Sequence, residues 1–151
     1  MKRKLLISLF FYLFTNALNI QADSLDYNWE KRISNGIIDR AEATELFWLE
    51  TVDNSFVALF NHQRGSEAKD AAIILHSIGG HADWPELISP LRNMLPKFGW
   101  STLSIQLPMI SPENNIEEYG NTFQETNQRI SSSVKELRKR GFSRIIIIGY
   151  G

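Results

Sequence analysis

Apolar and polar positions fall into blocks along the chain, and the blocks predict alternating strands and helices. Residues 44–51 and 55–62 are two short runs rich in aromatic and aliphatic side chains, separated by Val52-Asp53-Asn54. Such a pair predicts an antiparallel hairpin with a short polar loop. Ala71-Ala72-Ile73-Ile74-Leu75 is a continuous apolar run, the pattern of a strand buried on both faces of a parallel sheet. Leu91, Met94, Leu95 and Phe98 then give an apolar helix face, with Pro96 late in it and Gly99 to end it. Asp83 with Glu86, and Ser89 ahead of Pro90, read as helix-start signals.

Residues 100–107 predict the next strand, closed by Pro108, and 109–120 a loop. Thr122 and Glu125 have the spacing of a capping box, and Phe123, Ile130, Val134 and Leu137 mark one face of a helix. Lys135, Arg138, Lys139 and Arg140 crowd its last turn, where cations complement the helix dipole. Residues 144–148 carry four consecutive isoleucines, again a strand buried on both faces, followed by Gly149-Tyr150-Gly151. The expected class is α/β: an N-terminal antiparallel hairpin followed by a parallel βαβαβ unit.

The first 43 residues read differently. Lys2, Arg3 and Lys4 precede a mostly apolar stretch, and Ala22 offers a small residue before Asp23. This order predicts a secretory signal peptide over 1–22, too short and too rich in amides for a spanning anchor. Residues 23–43 are polar and read as an irregular segment, with Ser34-Asn35-Gly36 as a turn. The remaining 44–151 form the domain. Signal cleavage removes three of the 16 Lys+Arg and none of the 17 Asp+Glu, which leaves a formal charge of −4. A mildly acidic chain without a basic run is a poor nucleic-acid ligand. The chain has no cysteine, so disulfides contribute nothing and no lipid can be attached behind the signal. The expected location is periplasmic or secreted, with the membrane met only through the signal peptide. The expected partner is a small molecule or an envelope protein.

In open parallel sheets, ligands bind beyond the carboxyl ends of the strands. That rule singles out the loop His76-Ser77-Ile78-Gly79-Gly80-His81-Ala82-Asp83-Trp84 and the segment from Gly149 onward. His76, His81 and Asp83 are residue types that hold metals, but their spacing matches no zinc signature. The plainer reading has His76 bonded to loop backbone and Asp83 capping a helix, with no metal and no cofactor. Ser77 lacks an identifiable base. Trp84 and Trp100 read as core, and Arg92 as a salt-bridging surface residue or, through its nearness to Trp84, a ligand anchor. Gly149-x-Gly151 could also open a dinucleotide fingerprint, although that motif belongs on the first strand of its unit.

The stretch His76-Ser77-Ile78-Gly79-Gly80-His81-Ala82-Asp83-Trp84-Pro85, with Leu91-Arg92 and Gly99-Trp100-Ser101-Thr102-Leu103-Ser104, resembles a family of uncharacterised bacterial exported proteins related to α/β-hydrolases. The resemblance covers residues 71–151, the front half of that fold, and implies that the chain stops after the fifth strand. It implies that Ile78 supplies a backbone N–H to an oxyanion hole, with Ser77 replacing the usual glycine. It also implies that Gly149-Tyr150 opens a nucleophile elbow whose serine position is Gly151, a residue with no hydroxyl. The acid and histidine of a triad would come later still. Two functions remain open: a catalytically silent hydrolase-like binding domain, and part of an active cell-envelope esterase. The uncovered isoleucine strand predicts poor solubility for the chain alone.

Overall fold

The structure, a computed structural model, describes residues 25–40, 44–65, 69–111 and 115–151. The expected signal peptide lies outside them. Five strands form one mixed sheet: β1 (Glu45–Glu50), β2 (Ser55–Asn61), β3 (Asp70–Leu75), β4 (Ser101–Ile105) and β5 (Arg144–Gly149). Their order across the sheet is β1-β2-β4-β3-β5. The hairpin β1–β2 is antiparallel in the register Glu50↔Ser55 to Glu45↔Phe60, and β2 meets β4 antiparallel. β3 runs parallel to both β4 and β5. Every strand expected from the apolar runs is present, and the α/β-hydrolase-like class stands.

Among the described residues three α-helices accompany the sheet: α1 (Tyr27–Ile38), α2 (Ile88–Met94) and α3 (Phe123–Lys139). β-strand side chains alternate between faces, so the sheet has two apolar sides. Phe56, Ala58, Phe60, Ala71, Ile73, Leu103 and Ile105 pack with Leu137 of α3 and with Phe142. Val57 and Leu59 face the other way, onto Ile37 of α1 and Ala82. On that same side the α2 residue Arg92 meets Thr102 and Ser104 of β4. The chain is therefore layered helix, sheet, helix. Burying each Leu, Ile or Phe side chain of these clusters contributes about 1.5–3 kcal/mol.

Several local expectations are corrected. Residues 27–38 are not irregular: Asp26 accepts a hydrogen bond from the Trp29 N–H at 2.8 Å and caps α1, which runs through Ser34-Asn35-Gly36 without a turn. Its buried positions are Glu30, Ser34 and Ile37. The spacing is helical, but two of the three are polar, so the apolar signal was hidden. Asp83 caps no helix, and Ser89 lies inside α2, whose cap position is Leu87. Pro96 opens a 3₁₀ turn, Leu95–Phe98, which ends at Gly99 with φ +84°; a proline near a helix start leaves no N–H orphaned. Thr122 makes no capping bond to α3 and donates to Tyr119 O instead, because a 3₁₀ segment, Ile116–Thr122, leads directly into the helix. Phe123 is 66% exposed rather than part of the core face. β5 is an edge strand, and Ile146 and Ile147 are 39% and 51% exposed, not covered on both faces.

Candidate functional site

The topology opens a crevice at one place. The connection from β3 leads through α2 on one face of the sheet to β4. The connection from β4 leads through α3 on the other face, back across β3, to β5. The two loops that leave the carboxyl ends of β3 and β4 therefore diverge, which is the switch-point geometry where open α/β sheets bind ligands. A cavity of about 160 Å³ lies there. The β3 loop contributes His76 to Gly79, the β4 loop Leu107 to Met109, and the start of α3 Tyr119, Thr122, Phe123 and Thr126. Among the described residues the lining holds no Asp, Glu, Lys or Arg.

His76 stitches the two loops together. Its Nδ1 lies 2.9 Å from Ser77 O, and its Nε2 accepts the Leu107 N–H at 3.0 Å and faces the Gln106 amide nitrogen at 3.1 Å. This pattern requires the neutral tautomer with the proton on Nδ1. Burial, opposed by the bond to Ser77 O and reinforced by His81 and Arg129, lowers the His76 pKa to about 4. Both ring nitrogens are thus engaged, with loop backbone and with the Gln106 side chain.

The loop beyond it is a tight turn. The Gly80 N–H donates to Ser77 O at 3.0 Å, and Gly79 has φ +76°, a conformation that glycine adopts without steric cost. A Cβ on Gly80 would lie 3.2 Å from Ser77 O. Ile78, between them, is 55% exposed, and its N–H has no hydrogen-bond partner among the described residues. β5 pairs Gly149 with Leu75, so the chain leaves β5 at the level where β3 gives way to His76. Gly151 is exposed, and a Cβ built on it meets nothing within 4 Å.

The other singled-out residues form a separate group on the α2 side. Arg92 is not a surface residue: it is 3% exposed, donates to Asp83 Oδ1 at 2.6 Å and approaches Ser104 Oγ at 3.5 Å. Asp83 is held by this pair instead of a helix end. His81 Nδ1 accepts the Asp83 N–H at 3.2 Å, and its ring meets Trp84 edge-on at 5.4 Å. Burial lowers the His81 pKa, Asp83 opposes that shift and Arg40 adds to it. None of His81, Asp83, Trp84 and Arg92 lines the crevice. Among the described residues no group of three or more His, Cys, Asp or Glu is placed to hold a metal.

Sequence reasoning missed the most buried charge among the described residues. Arg129 is fully buried. Its Nη1 donates to Glu30 Oε1 at 2.6 Å and to Gln106 O at 2.9 Å, its Nη2 to Glu30 Oε2 at 3.1 Å, and its Nε to Glu125 Oε1 at 2.9 Å. The guanidinium also lies 5.2 Å from the centre of the Phe56 ring. The available signal was the i,i+4 spacing of Glu125 and Arg129. The spacing of Glu125 from Thr122 points instead to a capping box, and Glu30 falls in a polar segment without an apolar period.

The strand order, the antiparallel first pair and the divergent loops define an α/β-hydrolase-like sheet. The sequence pattern of the family described as "Protein of unknown function (DUF3530)" matches residues 27–126. The chain belongs to that family. The match begins with α1 and ends inside α3, so it includes both crevice loops. No curated protein matches the chain in sequence. Solved structures do match in shape. A Pyrococcus furiosus esterase superposes with a TM-score of 0.56 at 18% identity, over 76% of this chain and 43% of its own. An α/β serine hydrolase homologue from Coxiella burnetii gives 0.56 at 14%, over 71% and 51%. A Xanthomonas campestris α/β serine hydrolase without lid gives 0.57 at 10%, over 73% and 51%. These likenesses show the fold, and the chain spans about half, or less, of each of these proteins.

Proposed function

We propose that this chain is part of an exported, hydrolase-like domain whose crevice binds a small, uncharged and largely apolar ligand, and that the chain itself performs no serine hydrolysis. The observation that carries the reading is the crevice at the switch point, mostly apolar in its side chains and, among the described residues, without a charged residue in its lining. A buried ionic ligand would need a countercharge there. Three further features support silence. His76, the histidine at the crevice, is neutral and has both ring nitrogens occupied. Among the described residues no hydrogen bond joins the Ser77 hydroxyl to a base. Gly151 stands where the resemblance puts the nucleophile. Export to the periplasm or medium of a bacterium rests on the basic residues 2–4, the apolar stretch behind them and Ala22.

A second reading has one specific observation in its favour. The unpartnered Ile78 N–H beside the crevice suits an oxyanion donor, as in an esterase whose acid and base lie beyond residue 151. Serine-directed fluorophosphonate labelling separates the two. The silent-domain reading expects no adduct on the folded protein. A stoichiometric adduct on any serine overturns it. The N-terminal sequence of protein recovered from the cell envelope tests export, with Asp23 the expected first residue.

A further inference from the structure

The crevice wall Leu107 to Met109 belongs to the loop that begins at Gln106, yet two helices distant in sequence grip that loop by its backbone. Arg129 of α3 donates to Gln106 O at 2.9 Å. The same guanidinium holds Glu30 of α1 through both carboxylate oxygens. The Glu30 carboxylate also accepts the Met109 N–H. Just before α1, the Asp26 N–H donates to Met109 O at 2.8 Å, and Leu25 forms a β-bridge with Ile110. The Gln106 side chain carries the connection to the opposite wall: its Oε1 accepts the Ala82 N–H at 3.1 Å and its amide nitrogen reaches His76 Nε2.

Two points set this cluster apart from ordinary core packing. Glu30 and Glu125 share one guanidinium, so with both carboxylates ionised the buried group has a net charge of −1. Apolar residues of the same volume would be as stable or more so. The contacts also converge on main-chain atoms of the segment that lines the cavity, where a shift of the wall changes the cavity directly.

We propose that Glu30 and Arg129 are positioning residues of the crevice: by holding Gln106 and Met109, their ion pair fixes the spacing between the Leu107–Met109 wall and the His76–Gly79 wall, and so sets ligand affinity. This inference rests on the reading of the crevice as a ligand site. It gives α1 a function beyond covering the sheet, and it makes the start of α1 part of the binding apparatus.

The test is a titration of ¹⁵N-labelled protein with butyl acetate, an uncharged ester. The wild type should show saturable shifts of the Ile78, Gly79 and Met109 amides. The variant E30L/E125Q/R129M removes all three charges together, so no buried carboxylate is left unpaired and the fold is retained. It loses the bonds to Gln106 O and Met109 N–H, and its affinity should fall about ten-fold, the worth of one or two hydrogen bonds. E30Q keeps an acceptor for the Met109 N–H and should stay within about three-fold of wild type. Equal affinity in a triple variant that melts cooperatively overturns this inference alone. No saturable shift in the wild type removes the crevice reading and this inference with it. Hydrogen exchange needs no variant: a wild-type Met109 amide that exchanges as fast as an open loop contradicts the clamp.

Discussion

Acid should loosen the crevice through one residue. His76 is 7% exposed, and its pKa lies at about 4 against an ordinary 6.5. A histidine whose folded pKa is depressed contributes stability that is fully present above pH 6.5 and is lost as pH falls through 6.5 toward 4, because the unfolded chain binds the proton more tightly. A difference of that size corresponds to about 3 kcal/mol once the transition is complete, and about 2.5 kcal/mol of it is lost by pH 4.5. The structural reason is explicit: a proton on Nε2 turns an acceptor for the Leu107 N–H into a second donor facing it. Glu30 works in the opposite direction. Burial first of all raises its pKa, against its hydrogen bond and charge attraction to Arg129, so its contribution improves as pH falls. Urea melts at pH 7.5, 6.0 and 4.5 on wild type, H76Q and E30Q separate the two. H76Q keeps an acceptor for Leu107 but cannot titrate, so its stability should fall less than the wild type's between pH 7.5 and 4.5, by about 2.5 kcal/mol. Parallel pH profiles for wild type and H76Q would refute the reasoning.

Other substitutions follow from the same contacts. R129M leaves Glu30 and Glu125 buried without a cation and should cost about 3–5 kcal/mol in a denaturant melt, most of it recovered in E30L/E125Q/R129M. D83A strands the buried Arg92 guanidinium and should cost about 3 kcal/mol, far more than a surface ion pair would, by the same assay. G79A forces a side chain onto φ +76° and should cost about 1–2 kcal/mol while weakening ligand binding, as read by thermal melting and titration. F123A removes an exposed ring from the crevice rim, so stability should stay within about 0.5 kcal/mol of wild type while affinity for an apolar ligand drops.

The sheet was legible because apolar runs report burial directly. The runs at 71–75 and 144–148, and the aromatic pair ahead of them, required no knowledge of partners to be recognised as strands. What escaped depends on contacts between residues far apart. Glu30 and Arg129 are separated by 99 positions; each alone looks like a solvated charge, and only the fold makes them a pair. α1 was lost for the same reason, since its buried face carries a carboxylate and a hydroxyl. Thr122 and Glu125 fit a capping box by spacing, but the 3₁₀ segment before α3 had already supplied the entry. The crevice itself was reachable through the rule of strand ends, and His76 does line it. His81, Asp83, Trp84 and Arg92 were drawn toward it by sequence proximity alone, while Gln106, Leu107 and Met109 from the loop after β4 line or brace it.

The central claim is that the crevice at the ends of β3 and β4 takes up an uncharged apolar ligand and leaves it chemically intact. Titrating the labelled protein with p-nitrophenyl butyrate while following the release of p-nitrophenolate tests both halves at once. The account predicts saturating shifts of the Ile78, Gly79 and Met109 amides and no stoichiometric burst of p-nitrophenolate. A burst with an acyl group left on a serine, or shifts that map to a surface away from these three amides, would contradict it.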